Sequence, residues 1–73
     1  MNTYMVRLLP NGDEMLPYII TTHANTEEEA VEQAKRFVAE NGYWPSALSI
    51  EERMNRLVVH FVTMTHSSET TTY

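Results

Sequence analysis

"LVVHFVTMTH", residues 57–66, is the stretch whose reading decides the fold. Its odd positions Leu57, Val59 and Phe61 are apolar, and so are its even positions Val58, Val62 and Met64. A strand points successive side chains to opposite faces, so a strand here is apolar on both. In a chain of 73 residues, something must cover the second face or leave it bare.

Working back from this strand, the rest of the chain sorts into a few elements. Residues 3–9, "TYMVRLL", alternate as a strand, with Tyr4, Val6 and Leu8 on one side and Met5, Arg7 and Leu9 on the other. "PNGD", residues 10–13, is a turn, because proline presets one dihedral and Asn-Gly tolerates positive φ. The chain returns through "MLPYIITTH", residues 15–23. Pro17 cannot donate to a ladder, so this strand lies at an edge or begins at Tyr18.

"NTEEEAVEQAKRFVAENG" predicts a helix. Thr26 and Glu29 form a capping box, Glu27 to Glu29 suit the positive end of the macrodipole, and Gly42 reads as a left-handed stop. Ala30, Val31, Ala34, Phe37 and Val38 make its apolar stripe, and Glu32 with Arg36 is an i,i+4 pair. Tyr43 and Trp44 are expected to plug one end of the core. "ALSIEER", residues 47–53, reads as a third strand with Leu48 and Ile50 on one face. Residues 54–56 turn the chain into the fourth strand, residues 57–64. Residues 65–73 form a Ser/Thr-rich tail expected to be flexible.

The expected fold is therefore α+β, a single ββαββ domain over residues 1–64. Its four-stranded antiparallel sheet takes the order 2-1-3-4, with one helix packed on one face. The helix would meet Tyr4, Val6, Leu8, Leu48, Ile50, Leu57, Val59 and Phe61. Met5, Arg7, Leu9, Val58, His60, Val62 and Met64 would then carry the uncovered face.

Composition narrows the chemistry. There is no cysteine, which removes disulfides, thiolate zinc sites and a cysteine nucleophile. His60 and His66 are six residues apart on one strand, roughly 20 Å, too far to share a metal. Glu51 and Glu52, adjacent on a strand, point to opposite faces and cannot pair as acid and base. Nucleophile elbows and phosphate loops are absent, and both glycines fall in turns. The expectation is a non-enzymatic protein with no cofactor and no metal.

A formal net charge of −5 disfavours direct nucleic-acid binding and suits a basic partner surface. Arg53 and Arg56 flank the turn before residue 57 and form the one local basic cluster, with Arg7 a candidate neighbour. No signal-peptide pattern or membrane-length apolar run is present, so a cytoplasmic protein without membrane contact is expected. The uncovered face is read as exposed, as a homodimer interface, or as a contact with another protein.

"YMVRLL", then a strand leading into "ANTEEEAVEQAKRFVAENG", then "ALSIEE" and "LVVHFV", resembles the small ββαββ anti-CRISPR proteins of phages and mobile elements. Tyr4 and Gln33-Ala34-Lys35-Arg36 match features of a type I-F inhibitor. The resemblance implies an inhibitor that occludes a host nucleoprotein complex from the host cytoplasm, with Lys35 and Arg36 as carried-over contacts. The segment "ANTEEEAVEQAKRFV" also resembles the helix of HicB-like antitoxins, which implies a small toxin as partner. The candidate partner-binding set is Met5, Arg7, Lys35, Arg36, Arg53, Arg56, Val58, His60, Val62 and Met64.

Overall fold

A computed structural model describes residues 1–10, 17–44 and 47–65. Its elements are β1 (Asn2–Pro10), β2 (Tyr18–Ala24), α1 (Glu27–Asn41), α2 (Ile50–Asn55) and β3 (Leu57–Thr65). The fold is α+β: one three-stranded antiparallel sheet in the order β2-β1-β3, with two helices. β2 begins at Tyr18, directly after the proline that has no N–H to give a ladder. The expected turn at Asn11–Asp13, His66 and the tail from residue 66 lie outside the described residues.

The core sits between the sheet and α1. Tyr4, Val6 and Leu8 of β1 meet Ala24, Ala30, Ala34, Val38 and Leu57. Ala30 and Ala34 are fully buried, and their small side chains let the helix backbone approach the sheet. Phe37 departs from the expected stripe. It lies on the β2 side of α1 and is 54 % exposed, beside Ile19 and Ile20.

The expected third strand is a helix. Ser49-Ile50-Glu51-Glu52 is a capping box: Ser49 Oγ accepts from the Glu52 N–H at 3.1 Å, and Glu52 Oε1 accepts from the Ser49 N–H at 2.9 Å. Two reciprocal bonds at its start make this short segment helical despite its strand-like Leu48 and Ile50. The order 2-1-3-4 falls with it, and the stretch from residue 57 pairs directly with β1. Glu51 and Glu52 are exposed in the first turn of α2, not on opposite faces of a strand.

The hydrogen bond from the Ser49 backbone, then the bond to its side chain and the charge of Arg56, hold the Glu52 carboxyl below its ordinary 4.5. A depressed carboxyl contributes stability that is fully present above 4.5 and is lost as pH falls through its lower folded value. Amide exchange at Ser49, followed from pH 6 downward, is expected to accelerate below about pH 4.5 beyond its intrinsic pH dependence. Glu52→Gln, which keeps an acceptor for the Ser49 N–H but does not titrate, is expected to abolish that excess.

Gly42 ends α1 without a left-handed backbone; its φ is −79°. Glycine is required there by close approach. A Cβ would lie 2.7 Å from the Val38 carbonyl oxygen and 3.1 Å from the Tyr18 hydroxyl. At the other end Thr26 Oγ1 accepts from the Glu29 N–H, while Glu29 Oε1 reaches back to the Asn25 N–H, one residue before the cap.

Candidate interaction surface

The phase of β3 changes partway along it. Arg7 pairs with Phe61, but the next residue, Leu8, pairs with Val59, so His60 is the extra residue of a β-bulge. Directly paired residues share a face. Leu57, Val59, Val62 and Met64 therefore lie opposite Pro10, Leu8, Val6 and Tyr4 on the helix side. Val58, Phe61 and Thr63 lie opposite Leu9, Arg7 and Met5 on the open side.

Three assignments that assumed unbroken alternation are corrected by this geometry. Phe61 faces away from the helix and is 41 % exposed, whereas Val62 packs against the core. Met64 also turns to the helix side but stays largely exposed. Deleting His60 is expected to leave every other pairing on its present face and to cost much less than deleting Val58. Deleting Val58 forces a choice between turning Leu57 to the open side with the bulge kept, and placing His60 opposite Leu8 with Val59 turned to the open side, so it is expected to destabilise the fold far more. Urea melts of the two deletion variants check the contrast.

The open face carries Thr3, Met5, Arg7 and Leu9 on β1, with Ile19, Thr21 and His23 of β2 and Val58, Phe61 and Thr63 of β3 beside them. Ile19, Arg7 and Phe61 form one row across the three strands. Arg7 is half-buried in that row, and its Nε is buried without a hydrogen-bond partner among the described residues. Thr3 Oγ1 lies 3.0 Å from His23 Nδ1 near the far end of this face. His60 is exposed in the bulge, with its ring 5.9 Å from that of Phe61.

The remaining basic candidates separate. Arg36 is exposed on α1 and bridges to Glu32 at 3.5 Å, while Lys35 is half-buried. Arg56 is the exposed C-cap of α2. Arg53 does structural work. Its Nη1 donates to the Ala39 carbonyl at 2.9 Å, and its guanidinium lies 5.8 Å from the Trp44 ring centre. α1 has no basic residue in its own last turn, so Arg53 supplies the cation that this helix end favours. The Phe37 carbonyl accepts from Asn41 Nδ2, and the Val38 carbonyl accepts from the Gly42 N–H and Trp44 Nε1. Arg53 and Arg56 are thus not one free basic cluster.

A groove of about 570 Å³ runs between α1 and β3, lined by Glu27, Glu28, Val31, Val59 and Val62. Of the candidate partner-binding residues only Val62 lines it. All seven described carboxylates lie on the helices, and Arg7 is the one formal charge on the described strands. Among the described residues, no three His, Asp or Glu side chains are gathered as a metal would need. Among them, too, no helix is long and apolar enough to cross a membrane.

No family model matches the chain, and neither a curated protein nor a solved structure shows significant similarity to it.

Proposed function

We propose that this chain is a non-enzymatic protein-interaction module that acts by occluding a surface of another protein. The observation that supports this reading is β3. It is a nine-residue edge strand without a Lys, Arg, Asp, Glu or Pro, and it has apolar residues on both faces. Edge strands are ordinarily blunted by charge, proline or short length, because an unpaired edge templates association. Here only the bulge at His60 interrupts it. Val58 and Phe61 extend the contact onto the open face, where Met5, Leu9 and Ile19 add apolar area and Arg7 adds one charge.

The inhibitor of a host defence complex implied by the sequence resemblance is one form this function takes. The experiment is affinity capture with the full chain against a double variant, Val58→Glu with Phe61→Glu. Both residues are exposed enough to accept the change without loss of the core. A partner bound by the wild type and lost by the folded double variant is expected. Capture of no protein by the wild type, or undiminished capture by the variant, sinks the reading. Light scattering over a dilution series reports whether a second copy occupies the surface first.

A further inference from the structure

We infer that the outer edge of β3 and the groove beside it accept an extended, basic segment of the partner protein by strand addition. This rests on the interaction reading above and names the chemistry of its partner. β1 occupies one side of β3, and on the other side no strand pairs with it among the described residues. Backbone N–H and C=O groups along that side, unpaired by any described strand, can take an incoming strand. Alternate side chains of such a strand fall on the helix side, where Val31, Val59 and Val62 line the groove.

Charge selects the occupant. Glu27 and Glu28 form the rim of the groove, are exposed, and make no ion pair or side-chain hydrogen bond among the described residues. Lys35 lies two turns further along α1 from Glu28, about 10 Å along the axis, and leaves the rim acidic. A second copy pairing through β3 would set its own Glu27 and Glu28 against these across the two-fold, in a chain with twice as many acidic as basic residues. A lysine- or arginine-bearing strand meets the same rim with attraction. The β2 edge lacks this combination, since its groove is lined by Thr22, Gln33 and Phe37 without a carboxylate. A Thr22–Gln33 hydrogen bond at 2.6 Å also crosses that groove.

The test titrates isotope-labelled full chain with a nine-residue peptide of alternating valine and lysine, capped at both ends. Three comparisons accompany it: a valine–glutamate peptide, a valine–lysine peptide N-methylated at alternate residues, and the Glu27→Gln, Glu28→Gln double variant. Thr26 and Glu29 are untouched, so the helix keeps its start. Amide shifts confined to residues 27–31 and 57–65, with slowed exchange on the outer edge of β3, are expected. Binding at least tenfold weaker in each comparison is expected as well. The inference is overturned by equal binding of the N-methylated or glutamate peptide, by shifts on β2, or by no binding at millimolar peptide. A free protein that is already a dimer with protected β3 amides overturns it too. If the captured partner is lost by the Val58→Glu, Phe61→Glu variant but kept by the Glu27→Gln, Glu28→Gln variant, the inferred basic occupant fails while the interaction reading stands.

Discussion

Leu8→Ala is expected to leave the protein largely unfolded at 25 °C. Leu8 is fully buried in the middle strand, paired with Tyr18 of β2 and Val59 of β3. Removing a buried leucine side chain costs about 2–5 kcal/mol, more where the surroundings cannot collapse into the space. Here the neighbours are backbone-paired on both sides. A single core in a chain this short supplies roughly 3–5 kcal/mol in total, so one such loss consumes most of it. Chemical denaturation followed by circular dichroism measures the shift. Phe61→Ala, a larger side chain by volume, is expected to cost less than about 1 kcal/mol because its ring is already turned toward solvent. Equal losses for the two variants would contradict the bulge at His60 and restore unbroken alternation.

The second large effect is expected at Arg53. Arg53→Ala removes a charge-assisted hydrogen bond to the Ala39 carbonyl and the stacking on Trp44. A hydrogen bond to a charged group contributes about 1.5–3 kcal/mol, and an exposed cation–π contact about 0.5–1 kcal/mol. Arg53 Nε is buried without a partner among the described residues, which offsets part of that gain. A net loss of about 2 kcal/mol is expected from these opposing contributions. Arg53→Lys restores the charge but not the planar fork over the indole, and is expected to recover only part of it. Arg56→Ala, at an exposed cap, is expected to stay within about 0.5 kcal/mol of the wild type. Matched urea melts of the three variants measure this. Any binding assay that removes Arg53 and Arg56 together therefore confounds contact with stability.

Much of the local structure was legible in the residues alone. Thr26, the first-turn glutamates and the alanine-rich stripe announce α1, and "TYMVRLL" shows its buried face by alternation. The helix α2 was also written locally, in Ser49 and Glu52, but its three-residue spacing competed with an apparent alternation through Leu48 and Ile50. A capping box outweighs a two-residue alternation, because its reciprocal bonds satisfy backbone donors that a strand end leaves to water. Once that segment is helical, no fourth strand covers β3 among the described residues.

The candidate surface was half visible for the same reason. Met5, Arg7 and Val58 do share the open face, because they lie on the regular side of the pairing. Phe61 and Val62 exchanged roles, since an extra residue between two apolar runs is invisible in sequence. "LVVHFV" is apolar in both registers, and only the ladder to β1 shows where the phase breaks. The sequence by itself determined β1, β2 and the start of α1. These depend on contacts within a few residues. The tertiary structure decided the sheet order, the bulge at His60, the clamp of Arg53 on α1 and the acidic groove beside β3. Each of those depends on which distant backbone lies alongside, and side-chain type alone does not specify it.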